Sequence, residues 1–335
     1  MTVLITGGAG YIGSHMVLEL ADQGEDVVVL DNLSTGFRWA VPDNVPLVVG
    51  DIGDRELVMQ TLRRHKVDAI LHFAANIVVP DSISDPLRYY ENNAANARSL
   101  IASAVACDVS HFVFSSTAAV YGEPQIEYVS EETPTEPINP YGRSKLMVEW
   151  MLQDVSRAHA ISHAALRYFN VAGADPKGRT GQSTPNATHL IKVAVQTALG
   201  MRKRMQIFGT DYPTEDGSCV RDYIHVTDLV RAHVNALAHL RNGGDSVTCN
   251  VGYSRGYSVL EVIEMVKKVS GVDFEVEVSG RRDGDPARIV SSNARIRALG
   301  WRPANQDLEQ IVRQAIDWER GLDEKLLRSS DLLVA

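Results

Sequence analysis

The chain has 335 residues, enough for about two domains at roughly 150 residues each. Apolar residues make up 44% and charged residues 22%, which excludes a disordered tail, a collagen and a coiled coil. With 33 basic and 42 acidic residues the net charge is −9, which argues against a nucleic-acid or membrane-surface partner. Three scattered cysteines, Cys107, Cys219 and Cys249, form neither a disulfide framework nor a CxxC pair for a metal. No apolar run approaches the ~18 residues of a membrane span. The opening MTVLITGGAG has no signal-like pattern, so the chain reads as soluble and cytoplasmic.

Short apolar runs alternate with amphipathic stretches in the first half. Strands are expected at 2–6, 27–30, 47–49, 69–73, 111–115 and 164–168. Helices are expected between them, near 12–23, 55–65, 87–107 and 141–159. The strands are β-branched and almost unbroken in apolarity, as strands buried on both faces are. Such alternation gives right-handed βαβ units and a parallel sheet. The acidic loop 123–136 reads as solvated. After Asn170 the pattern loosens into a loop at 173–188, a helix at 190–199, a polar loop at 209–222 and a helix at 227–240. Further elements follow near 247–251, 260–269, 274–278 and 308–318.

Gly7-Gly8-Ala9-Gly10-Tyr11-Ile12-Gly13 follows the first strand directly. Glycines at 7, 10 and 13 allow a tight turn, close approach to a pyrophosphate, and tight helix–strand packing. The next helix points its positive N-terminus at the phosphates. Asp31 ends the second strand. An acid there binds adenosine ribose hydroxyls and repels a 2′-phosphate, which favours NAD over NADP. Asp51, after the third strand, has two readings: it approaches the adenine, or it caps the next helix.

Tyr141 and Lys145 form a Tyr-x-x-x-Lys pair, with Pro140 suited to a first helical turn. Residues four apart share a helix face, so a cationic Lys145 lies beside the phenol. A free tyrosine, with a pKa of about 10, is no base at neutral pH. Nearby positive charge favours its phenolate. Ser115-Ser116-Thr117 ends the preceding strand, at the edge where parallel sheets bind ligands. Thr117 can bridge a substrate hydroxyl and Tyr141.

Together these features resemble the extended short-chain dehydrogenase/reductase family. Longer stretches are similar to its UDP-glucose 4-epimerase branch, over residues 1 to about 320. They are GGAGYIGSH (7–15), LDN (30–32), YYENN (89–93), PYGRSKLMVE (140–149), LRYFNVAGA (166–174) and, most specific, FGTDYPTEDGSCVRDYIHV (208–226). The resemblance implies an α/β fold: a Rossmann-type doubly wound parallel sheet with a smaller C-terminal α/β substrate domain. The implied NAD-binding part is 1–169 with a returning segment 223–252. The implied nucleotide-sugar part is 170–222 and 253–335. The implied reaction is C4 epimerisation of UDP-glucose and UDP-galactose through a transient 4-keto sugar, with hydride carried by bound NAD.

In that family Tyr141 would take the proton of the sugar 4-hydroxyl, with Thr117 in the hydrogen-bond path. Lys145 would hold the nicotinamide ribose and lower the Tyr141 pKa. Gly7, Gly10, Tyr11, Ile12, Gly13, Asp31, Asn32, Asp51, Ile52, Phe73, Ala74, Ala75 and Asn92 match cofactor positions. Tyr168 and Phe169 match positions beside the nicotinamide. Asn170, Leu190, Arg221, Arg282 and Asp285 match positions around the UDP-sugar, and guanidinium forks suit its diphosphate. His189 stands where many members have Asn, and reads as a substrate contact or as a helix-start residue. A homodimer through helices 87–107 and 141–159 is implied by analogy.

Three further departures are visible. Ile77 replaces a lysine of the cofactor loop, Thr117 replaces a serine, and Arg288 falls where the size of the group at sugar C2 is limited. An arginine there argues against an N-acetylated sugar. Epimerases of other UDP-sugars share the same catalytic set. Dehydratases of this fold carry Asp-Glu after the Ser/Thr, whereas this chain has Ala118-Ala119. A non-enzymatic NAD sensor would lose the Tyr-Lys pair, which is present.

Overall fold

Apolar runs and the amphipathic segments between them build the first half of the computed structural model, which describes residues 1–185, 187–282 and 285–331. The last four residues of the expected second part, 332–335, lie outside the described residues. In chain order come β1 (Thr2–Thr6), α1 (Tyr11–Asp22), β2 (Asp26–Asp31), β3 (Leu47–Val49), α2 (Arg55–His65) and β4 (Val67–His72). Then follow α3 (Val79–Ser84), α4 (Pro86–Tyr89), a π-helical turn (Tyr90–Ala95), α5 (Asn96–Ala106), β5 (His111–Ser115), α6 (Pro140–Ala158) and β6 (Ser162–Tyr168). The second half has β7 (Asn170–Ala172), α7 (Leu190–Ala198), β8 (Met205–Phe208), β9 (Val220–His225), α8 (Val226–Arg241) and β10 (Val247–Val251). It closes with β11 (Gly256–Ser258), α9 (Val259–Ser270), β12 (Val276–Ser279), β13 (Arg288–Ile289), α10 (Ala294–Ala298) and α11 (Leu308–Asp331).

Seven strands form a parallel sheet in the order β10–β6–β5–β4–β1–β2–β3. Successive residues of each strand alternate between two cores. Val3, Ile5, Val29, Leu71, Val113 and Leu166 pack on one face, with Met16 of α1 and Val230 of α8. Leu4, Val28, Leu30, Ile70, Phe112 and Phe114 pack on the other, with Val58 of α2, Leu100 of α5 and Val148 of α6. Burial of both faces is why these strands read as unbroken apolar runs. The chain steps from β1 to β2 and β3, then crosses to place β4 on the other side of β1. Strand order reverses there, which opens a crevice at the carboxyl ends of β1 and β4.

The second half makes a small mixed sheet of β7, β9, β11 and β13, and a parallel pair of β8 with β12. Residues 223–225, the start of the expected returning segment, pair with Asn170, Val171 and Ala172 of β7. It is α8 and β10 that rejoin the large sheet, β10 lying along β6 from Val247↔Ala164 to Val251↔Tyr168.

Three differences from the sequence reading bear on the site. The helix expected over 87–107 is interrupted by the π turn. There the Asn93 amide turns inward, donating to Asn76 O at 2.9 Å and Ser144 Oγ at 3.1 Å, while its Oδ1 accepts from Asn76 N at 2.8 Å. A widened turn re-aims a side chain that a regular helix would place elsewhere. The polar loop expected over 209–222 ends instead in β9. Its Asp222, polar by sequence, is buried and accepts from Ser291 Oγ, Tyr253 N and Ser254 N. Glu131, expected in solvent, has a buried carboxylate that accepts from Asn250 N at 2.7 Å. Among the described residues no helix is long and apolar enough to cross a membrane.

Candidate active site

The glycines of the first turn are not equivalent. Gly7 has φ of +71°, and a Cβ there would stand 2.6 Å from Ala74 N. A Cβ on Gly13 would stand 2.0 Å from Gly7 O. The protein's own packing therefore dictates both residues. Gly10 is different: its nearest neighbour would be 3.3 Å away, and it faces a cavity. It is also the N-cap of α1 and gives no side-chain cap, which leaves first-turn amides for a ligand. Such a helix end favours an anion.

Asp31 is buried at the end of β2 and accepts from Ala9 N at 2.9 Å and Leu33 N at 2.8 Å. Burial raises its carboxyl pKa, and those two amides oppose the rise. The result is a rigid acceptor in the cavity wall. The Asp51 carboxylate accepts from Gly53 N, Asn96 Nδ2 and Asn32 Nδ2. Asp54, not Asp51, caps α2. Of the two readings for Asp51, the place beside the cavity is the one observed.

The cavity has a volume of about 1170 Å³. It is lined by the glycine turn and Tyr11 and Ile12 of α1, by Asp31, Asn32, Asp51 and Ile52, and by Phe73, Ala74 and Ala75 after β4. Asn92 of the π turn, Thr117, Tyr141, Tyr168 and Phe169 continue the wall, and Asn170, His189, Leu190, Arg221, Arg282 and Asp285 complete it. Of the residues matched to catalytic, cofactor and substrate positions, Lys145 alone is not in the wall. It lies beneath, 2% exposed.

Tyr141 stands in the first turn of α6, whose N-cap Asn139 accepts from Gly142 N at 2.8 Å. Thr117 Oγ1 accepts from Ala119 N at 3.1 Å, and its hydroxyl neighbours the Tyr141 phenol. Burial pushes the Tyr141 phenol well above its ordinary range, and the neighbouring Thr117 hydroxyl only partly offsets this. Lys145 Nζ donates to Ser115 O at 2.9 Å and sits over the Phe114 ring at 4.9 Å. Burial pulls Lys145 down to about 7, against the favourable charge of Glu149. Spacing on a helix therefore does not make a phenolate here by itself. A positive charge brought into the cavity would favour the phenolate. Tyr168 borders Tyr141, its hydroxyl accepting from Ser115 Oγ at 3.0 Å.

At the other end, Arg221 donates to Val220 O at 2.9 Å and lies 3.5 Å from the Asp285 carboxylate. The Arg282 guanidinium stacks 3.5 Å over the Phe208 ring. His189 precedes α7, with Nδ1 3.3 Å from Gln182 Nε2. Burial and then Lys192 lower its pKa, which keeps the imidazole neutral at pH 7. Sequence reasoning missed Asn76, Gln182 and Phe208, and the cations Arg88, Arg202 and Arg204, which also line the cavity. The basic run 202–204 was the available signal for two of them. Arg88 is a cation on the same wall as Ile77, which is half exposed there.

Arg288 departs from expectation. Among the described residues lining the cavity it is absent, while Ile289 is present. Successive residues of a strand face opposite ways, and the Arg288 guanidinium lies against Gly256 of β11. It is not placed to limit the group at sugar C2. Ala118 and Ala119 do line the cavity, with no acid or base at either position.

These residues fit a dinucleotide: open first-turn amides at Gly10, a buried acceptor at Asp31, and a long cavity leading to a buried tyrosine. Residues 3–252 match the NAD dependent epimerase/dehydratase family. A UDP-glucose 4-epimerase of Azospirillum brasilense is 55% identical over 325 residues, covering 97% of this chain and 93% of that protein. The crystal structure of UDP-glucose 4-epimerase from Brucella ovis in complex with NAD is similar with a TM-score of 0.91 and 41% identity, over 94% of this chain and 97% of that one. The Bifidobacterium longum UDP-glucose 4-epimerase in complex with NAD+ and UDP gives a TM-score of 0.91 at 35% identity, over 96% and 98%. Sequence likeness over most of the chain and structural likeness over nearly all of it agree with the site geometry, and the chain belongs to the NAD dependent epimerase/dehydratase family.

Proposed function

We propose that the chain is an NAD-dependent 4-epimerase that interconverts UDP-glucose and UDP-galactose through a transient 4-keto sugar. The observation that carries this reading is one cavity wall bearing the Tyr141 and Thr117 hydroxyls, the glycine turn with Asp31, and Arg221 with Arg282. Relatives named UDP-glucose 4-epimerase support it.

Bound NAD supplies a reversible hydride acceptor at its nicotinamide, with the positive charge that Tyr141 lacks. The amides beside Gly10 would hold its pyrophosphate, and Asp31 would accept from the adenosine ribose. Tyr141 removes the proton of the sugar 4-hydroxyl through or beside Thr117, and later returns it. Lys145 keeps a cation under the phenol. Arg221 and Arg282 neutralise the diphosphate, so the nucleotide is anchored while the sugar turns. Ala118 and Ala119 provide no acid or base for dehydration. We read 1–169 with 223–252 as the NAD-binding part, and 170–222 with 253–335 as the UDP-sugar part.

We also infer a homodimer. Leu87 of α4 is 76% exposed and Trp150 of α6 is 53% exposed, both on the helices expected to pair. Sedimentation that gives a monomer at micromolar concentration would count against it. A cytoplasmic location agrees with three unpaired cysteines, since thiols persist in reducing compartments; cell fractionation tests it. The reaction is tested by offering a panel of UDP-sugars to the purified protein without added NAD. Conversion of UDP-glucose to UDP-galactose, read by NMR, is expected. No conversion of either sugar refutes the assignment.

A further inference from the structure

Ser115, the last residue of β5, and the two residues after it each lie beside a different turn of α6. The Ser115 carbonyl accepts from Lys145 Nζ at 2.9 Å. Ser116 Oγ donates to Glu149 Oε1 at 2.5 Å. The Thr117 hydroxyl neighbours the Tyr141 phenol. Tyr141, Lys145 and Glu149 are four residues apart, on one buried helix face. Two of these rungs hold groups assigned above to the reaction. The third, Ser116 to Glu149, has no role so far.

Glu149 is 1% exposed and does more than meet Ser116. It accepts from Arg167 Nε at 3.0 Å and Arg167 Nη2 at 2.6 Å. Arg167 Nη1 donates to the Tyr121 hydroxyl at 3.0 Å, which donates to Asn250 Oδ1 at 2.6 Å. One carboxylate thus ties α6 to β5 directly, and to β6 and β10 through Arg167. Stability alone does not call for charge at this place. A buried ion pair is often no more stabilising than apolar groups of the same shape. The question is what the negative charge acts upon.

We propose that Glu149 is a positioning residue for the reaction read above: through Ser116 it holds the end of β5 in register with α6, and it places a counter-charge one helical turn from Lys145. The inference rests on that reading of the reaction. The groups facing Lys145 support it. Glu149 acts on it from its own helix and His72 from β4, while Tyr168 borders Tyr141 and Arg167 pairs with Glu149. Burial and Lys145 lower His72 to about 3, so it is neutral. Burial raises Tyr168, which is neutral as well. Arg167 is cationic and paired. Among these groups Glu149 supplies the negative charge, and it opposes the burial that strips Lys145 of its proton.

Glu149→Gln keeps the shape and an acceptor for Ser116 but removes the charge. Wild type and variant are compared as NAD-loaded proteins for kcat, KM, bound NAD and pH profile. KM for UDP-glucose and NAD content are expected to stay within about twofold. The sign follows from Lys145: without the counter-charge it loses its proton at lower pH. The alkaline limb of kcat is therefore expected to move down by about one unit, a roughly tenfold loss at pH 8 and less at pH 6.5. A folded Glu149→Gln with wild-type kcat and pH profile, and only a lower Tm, makes the pair mere core and overturns the proposal. If Glu149→Gln does not fold, Ser116→Ala decides, since it leaves the Glu149–Arg167 pair in place and removes only the rung to β5. A fall in kcat of threefold or more at unchanged KM and Tm supports the proposal; wild-type kcat overturns it. Failure of the functional reading is seen separately, as wild type that does not epimerise UDP-glucose, and the inference then falls with it.

Discussion

At the glycine turn the cavity wall is main chain and one buried acid; at the far end it is arginines carried on short strands and loops. The first end is built by geometry. Gly7 and Gly13 allow β1, α1 and the end of β4 to approach within contact, and the amides beside Gly10 are left for a ligand. The second end is built by charge. Arg221 of β9, Arg202 and Arg204 just before β8, and Arg282 after β12 all line it there. Main-chain sites respond little to salt or to side-chain change, except where a glycine is replaced. Partly exposed cations are screened, so KM for the UDP-sugar is expected to rise with ionic strength while NAD stays bound.

The centre, where the two ends meet, gives the largest effect. Tyr141→Phe keeps the ring and removes the ionisable hydroxyl. Turnover is expected to fall by ~10²–10⁴-fold, the range for a lost acid–base group, with NAD still bound. Near-normal rates would remove Tyr141 from its role. The next effect sharpens the division between the ends. Arg282→Ala or Arg221→Met removes charge-assisted hydrogen bonds worth about 1.5–3 kcal/mol, so KM for UDP-glucose is expected to rise roughly 10–100-fold. NAD content should not change; loss of NAD along with the sugar would erase the distinction. Asp31→Ala probes the other end alone. The preference for NAD over NADP is expected to fall by about tenfold, since one carboxylate near a phosphate is removed. Titration of both nucleotides checks it, and an unchanged ratio would mean that Asp31 does not meet the ribose.

The smallest effect belongs to Arg288→Ser. With the side chain turned toward Gly256, the relative kcat/KM for N-acetylated and plain UDP-sugars is expected to change by no more than about twofold, as for a substitution outside the site. A larger change would show that position 288 reaches the sugar after all.

Legibility in the sequence followed the range over which each signal acts. The large sheet was readable because each strand is buried on both faces by its own residues. The glycine turn was readable because φ, spacing and chain position are local. The Tyr141–Lys145 pair was readable as a helix spacing, but its consequence was not. Lys145 was expected to lower the phenol, whereas burial of both groups dominates and Lys145 donates to Ser115. The helix expected over 87–107 was missed as two helices and a π turn because its cause, Asn93 bonding Asn76 and Ser144, joins residues far apart in the chain. Glu149 gave no sign of function, since a glutamate after a lysine at helix spacing reads as surface.

By itself the sequence determined the alternation of strand and helix, the parallel sheet and the nucleotide turn, and it pointed to the side chains proposed to react. These depend on hydrophobic period, glycine conformation and residue chemistry, all carried by neighbours in the chain. Tertiary structure alone decided which face each side chain presents and which charges lose their water. Strands β7, β11 and β13 have only two or three residues, too few for a period to show, and β13 pairs with a distant partner, Val220 with Arg288. That pairing turns Arg288 from the cavity and Ile289 toward it. Burial, which no linear pattern measures, holds Tyr141 neutral and makes the charge on Glu149 count.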